Sequence, residues 1–138
     1  MSLSERDAIT AYCRMLNTRD VEPLVPLLAA DFVYESQVVL QPLRGVPDFV
    51  AYITGKFATL AESNQPAFAE LGQVRAYGLR RPCAVLAQPT KADLVGIVLA
   101  KVAGDRIARL DVCIVPRPHE AERSGLYPGE DDDAGAGR

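Results

Sequence analysis

The sequence predicts an α+β domain, with helices first and then one run of antiparallel strands. Three observations carry this. Apolar residues recur at helical spacing in three segments before Ala61. After Ala67 they alternate or run continuously over strand-length segments. Turn residues separate these segments, and Gly104-Asp105 reads as a two-residue hairpin turn.

The first helix is predicted from Ser4. Its hydroxyl is placed to cap the helix, with Asp7 near the positive end of the dipole. Ile9, Tyr12, Cys13 and Leu16 keep the i, i+3, i+4, i+7 spacing and share one buried stripe. Asp20 is read as the cap of a second helix carrying Val21, Leu24, Val25 and Leu28. Pro23 sits in its first turn, and Pro26 removes one bond of the ladder, so this helix is expected to be short or bent.

A strand follows from Asp31. Phe32, Tyr34, Ser36 and Val38 lie on one face, with Val33, Glu35 and Gln37 on the other. Pro42, Gly45 and Pro47 mark a turn. A third helix then runs to about Ala61, with Phe49, Ile53, Phe57 and Leu60 as its stripe. The rest reads as strands near 67–77, 82–88, 92–103 and 106–115. One curved sheet folded around three N-terminal helices leaves a pocket between the layers. From Pro116 the chain is polar and acidic with few large apolar residues, so residues 1–115 form the expected domain and 116–138 a mobile tail.

Composition narrows the function. The chain has 138 residues, 49% of them hydrophobic, which suffices for one packed core. Its net charge of −3 shows no basic footprint for nucleic acid. The apolar run Leu94 to Ala100 is far shorter than the ~20 residues that span a bilayer. The first residues lack a basic-then-apolar leader, so a cytoplasmic location is expected. Cys13, Cys83 and Cys113 have no paired spacing and read as reduced thiols. The one histidine, His119, lies in the tail, so neither a metal cluster nor a Cys–His nucleophile pair is expected. No phosphate-cradling glycine motif occurs, and no cofactor is expected.

The stretch from Tyr12 to Gly45, helix–helix–strand–turn, resembles the front half of the nuclear-transport-factor-two-like superfamily. These small cone-shaped domains, of cystatin-like roll type, include ketosteroid isomerases and polyketide cyclases. The resemblance implies that Tyr12 matches the oxyanion-donating tyrosine of the isomerases, and that Ser36 stands where their aspartate base stands. Ile97 matches the second, acidic donor. A serine is no base at neutral pH without one of its own, and Ile97 donates nothing, so steroid isomerisation is not expected. Tyr12 and Ser36 are the candidate catalytic residues. The matched register lines a ligand pocket with Phe32, Tyr34, Val38, Phe57 and Val95, and also with Ile97, Leu99, Leu110, Val112 and Ile114. It turns Arg109, Asp111 and Cys113 to the outer sheet face.

Three functions fit this reading. One is binding of a small apolar molecule in the pocket, with hydroxyls from Tyr12, Tyr34 and Ser36. Another is a cofactor-free isomerase, dehydratase or cyclase acting on a carbonyl or polycyclic substrate. The third is a protein-interaction domain with a filled cone. Because the last strands are apolar on both faces and the helices cover only one, a homodimer through the outer sheet face is expected.

Overall fold

The structure is a computed structural model and describes residues 2–37, 41–76 and 78–130. The first helix, α1, spans Glu5–Thr18 and starts as the sequence predicts. Ser4 Oγ accepts from the Asp7 amide at 2.9 Å, while the Asp7 carboxylate accepts from the Ser4 amide. Ile9, Tyr12, Cys13 and Leu16 are all buried. Asn17 fastens the far end: its side chain exchanges two hydrogen bonds with the Ala69 backbone and donates a third to the Pro128 carbonyl, each at 2.8 Å.

The second predicted helix is not formed. Asp20 Oδ1 accepts from the Glu22 amide, which makes a local turn instead of a helix cap. The chain then makes a single 3-10 turn, Val25–Leu27. Pro23 and Pro26, three residues apart, each lack an amide, so an α-helical ladder has too few donors here. Leu24 is still fully buried. Among the described residues there are therefore two α-helices rather than three; the second, α2, is Val46–Ser63.

The sheet has seven strands: β1 Leu28–Ser36, β2 Leu43–Arg44, β3 Phe68–Ala76, β4 Leu79–Ala87, β5 Leu94–Ala103, β6 Arg106–Cys113 and β7 Glu122–Leu126. Their spatial order is β2-β1-β6-β5-β4-β3-β7. It is not wholly antiparallel, because β1 pairs with β6 in parallel. The turn between β5 and β6 lies at Gly104, whose φ of 62° suits a residue without a side chain. β2 lies where the sequence predicts a turn, and β7 where it predicts a mobile tail.

β7 closes the sheet edge at β3. Its approach depends on Gly72, where a Cβ would stand 2.7 Å from the Glu122 carbonyl oxygen. Before reaching that edge, the chain makes a 3-10 turn, Pro118–Glu120. Pro118 is buried, and Ala121 packs on an apolar cluster of Val74, Cys83, Val85, Ile97, Leu99 and Cys113. This cluster lies on the sheet face away from the helices. The expected homodimer rested on that face having no cover, and part of the cover comes from the chain's own C-terminal segment. No described helix is long and apolar enough to cross a membrane.

Candidate functional site

The inner face of the sheet and the two helices enclose the main core. Tyr12 from α1, Phe32 and Tyr34 from β1, and Phe49 and Ile53 from α2 are all buried in it. Phe32 meets Phe49 edge-on with ring centroids 5.1 Å apart, and Tyr34 lies 5.3 Å from Phe49 and 5.4 Å from Tyr52. A narrow cavity of about 40 Å³ opens beside this cluster, lined by Tyr34, Ser36, Gln41, Leu43 and Tyr52.

Tyr12 is completely buried, and its hydroxyl has no hydrogen-bond partner among the described residues. A buried unsatisfied hydroxyl costs roughly 1–3 kcal/mol, so an acceptor brought to this position would be stabilised. Burial raises its pKa well above the usual tyrosine range, and the neighbouring Cys13 and Tyr52 add to the rise. Tyr34 is raised in the same direction by burial, by the nearby Tyr12 and Tyr52, and by its side-chain hydrogen bond to Tyr52. Both phenols are therefore neutral donors over the physiological range.

The predicted site residues are only partly brought together. Ser36 and Tyr34 line the cavity, and Tyr12 lies in the adjoining core without reaching its wall. Phe32 and Leu110 are buried inward, and Phe57 and Val112 pack on the same core as half-buried residues. Ile97 and Leu99 are not pocket residues. They face outward, and Val98 and Ala100 take the inward places. The strand Leu-Val-Gly-Ile-Val-Leu-Ala is apolar at every position, so its alternation carries no sign of which face is which. Val95 and Ile114 are 52% and 46% exposed and line neither the cavity nor the core. Val38 lies outside the described residues.

Tyr52, Gln41 and Leu43 were missed. Tyr52 follows Phe49 by one helical turn, which places it on the stripe side of α2, and that spacing was the available signal. Gln37 was missed as well. Its Oε1 accepts from the Ile114 and Val115 amides at 2.6 and 2.9 Å, and its Nε2 donates to the Val115 carbonyl. It ties the end of β6 to β1.

The outer face carries Arg109, Asp111 and Cys113, as the sequence predicts. Arg109 grips Asp111 through both Nε and Nη2, at 3.0 and 2.6 Å, and Nη2 also donates to Glu35 at 2.5 Å. The bond to Asp111 is the main reason its pKa lies above the ordinary arginine value. These groups line a concavity of about 430 Å³. The Cys113 thiol there is raised by burial and by Asp111, against an opposing pull from Arg81, which favours its protonated form. Among the described residues no group of three His, Cys, Asp or Glu side chains is placed to hold a metal ion.

Two packed helices on the inner face of a strongly curved sheet, with a small cavity at the end of the first strand, can be compared with known folds. The NTF2-like protein of unknown function from Cytophaga hutchinsonii superposes with a TM-score of 0.56 at 13% identity, covering 86% of this chain and 96% of that one. An uncharacterized cystatin fold protein from Novosphingobium aromaticivorans gives 0.58 at 14% identity, covering 80% and 98%. An NTF2-like protein with a cystatin-like fold from the same organism gives 0.54 at 19%, covering 81% and 80%. The fold is NTF2-like. No family model matches the sequence, and no curated protein is similar enough to count as a relative. The NTF2-like resemblance read from Tyr12 to Gly45 thus holds at the level of fold.

Proposed function

We propose that this NTF2-like domain is a binding module for a small, mostly apolar molecule bearing a carbonyl group, taken up at the cavity beside Tyr34, Ser36 and Tyr52. The observation that carries this is the Tyr12 hydroxyl: a neutral donor, fully buried, without an acceptor among the described residues, next to an aromatic cluster. Apolar walls with a few oriented donors suit such a ligand. A cavity of about 40 Å³ has room for little more than a water or two, so uptake requires one wall to yield. Tyr52 is that wall, since it is 37% exposed and has solvent on its far side.

No carboxylate or histidine lines the cavity, so nothing described there would take a proton from a bound carbonyl compound. Binding is therefore favoured over isomerase, dehydratase or cyclase chemistry. The test is an NMR titration with cyclohexanone. Saturable shifts at Tyr34, Ser36, Leu43 and Tyr52 are expected, with no turnover. Absence of saturable shifts at these residues would reject the reading.

A further inference from the structure

The outer concavity holds an arrangement that the inner site does not explain. In the β5–β6 register Lys101 stands opposite Arg109, and Leu99 opposite Asp111. On the other side, β4 pairs with β5 at Ala84–Val98, and continuing that register by three residues sets Arg81 beside Lys101. Arg81, Lys101 and Arg109 all line the concavity. Three cations thus stand in one cross-strand row, where like charges directly opposite one another repel.

The two outer members are compensated. Arg109 is held by Asp111 and Glu35 from the next row. Arg81 reaches Glu5 at 3.4 Å and donates to the Ala100 carbonyl at 2.8 Å. Lys101, in the middle, is exposed and has no carboxylate within ion-pair distance among the described residues. With Glu5 counted on Arg81, the three cations meet three carboxylates, Glu5, Glu35 and Asp111, but both outer cations hold theirs and Lys101 has none of its own among the described residues. Beside it Leu99 and Cys113, both mostly buried, form an apolar floor.

We infer that this concavity is a second binding site, for a small organic carboxylate with an apolar body, the carboxylate on Lys101 and Arg81 and the body on Leu99 and Cys113. A volume of about 430 Å³ is within the usual range for small-molecule sites. A second copy of the chain suits this surface less well. A two-fold contact centred here would set each cation row against its own copy and double the repulsion.

The experiment titrates benzoate into the full chain and follows backbone amide shifts. Saturable shifts are expected at Leu99, Lys101 and Asp111, with the Tyr34–Tyr52 cavity unmoved. Loss of one charge-assisted contact weakens binding roughly tenfold or more, so Lys101→Ala should show that loss and Lys101→Arg should retain binding. Lys101 is exposed, and the amide spectrum of each variant shows directly that it is folded. Inorganic phosphate, run as a separate arm, is expected to bind more weakly than benzoate because it gains nothing from the apolar wall. No saturation, benzoate binding unchanged in Lys101→Ala, or phosphate equal to benzoate would each overturn the inference. So would sedimentation that shows a dimer whose formation abolishes benzoate binding, since a second copy would then own the face.

Discussion

Arg123 Nε donates to Glu70 Oε1 at 2.6 Å, and the Glu70 side chain is almost wholly buried. The other carboxylate oxygen accepts from the Gly125 amide at 2.7 Å. One buried acid on β3 thus holds both the side chain and the backbone of β7. It fastens a segment whose own strand residues are all exposed. Removing Arg123 leaves a buried carboxylate with half its partners. Arg123→Ala is therefore expected to lower stability by about 1–3 kcal/mol and to speed amide exchange throughout β7. Urea denaturation with hydrogen exchange checks this; unchanged exchange in β7 would show that the pair is not what holds the strand.

The direction of β5 is open to a substitution pair. Val98 is fully buried on the inner face, whereas Val95 is half exposed. Val98→Ala should cost about 2 kcal/mol, and Val95→Ala less than about 0.5 kcal/mol. Equal costs would mean that the assigned faces are wrong.

The phenols carry a pH signature. Burial raises Tyr12 and Tyr34 above the ordinary tyrosine value of 10.0. A raised tyrosine means that the unfolded chain loses its proton first. Between the unfolded and folded values the native state binds more protons, so stability falls as pH rises. The loss begins near pH 10 and is absent at neutral pH. In a spectrophotometric titration of the five tyrosines, two should ionise only together with unfolding. Independent ionisation of all five in the folded protein would contradict the buried cluster.

At the N-terminus, the reciprocal bonds of Ser4 and Asp7 form a complete cap. Ser4→Ala should lower the melting free energy by about 1 kcal/mol, read by thermal unfolding. Ser4→Asp, which keeps an acceptor in place, should restore most of it.

Much of the fold was legible because single positions decide it. Ser4, the Ile9–Leu16 stripe and the Phe49–Leu60 stripe each name one face of one helix, and Gly104-Asp105 names one turn. What stayed hidden depends on contacts distant in sequence. β7 is built of Glu-Arg-Ser-Gly-Leu, which has no strand signature of its own; Gly72 and Glu70 recruit it. The segment after Asp20 had the apolar spacing of a helix, and two prolines overruled it. The register of β5 was unreadable from alternation, and borrowing it by resemblance placed Ile97 and Leu99 on the wrong face. At the cavity, Tyr34 and Ser36 on β1 lie where the alternation predicts, Tyr12 on α1 stays in the adjoining core, and Gln41, Leu43 and Tyr52 reach it only because β2 and α2 fold across the end of β1.

Once the Tyr52 wall yields, the proposed ligand reaches past Tyr34 and its carbonyl meets the buried Tyr12 hydroxyl. Infrared difference spectroscopy of cyclohexanone, labelled at the carbonyl carbon and bound to the protein, reads that contact directly. Hydrogen bonding to the phenols should lower the carbonyl stretch relative to the ketone in an apolar solvent. Tyr12→Phe should move it back upward and weaken binding by about tenfold at most, the effect of one neutral hydrogen bond. A carbonyl stretch identical in the parent protein and in Tyr12→Phe would contradict the account.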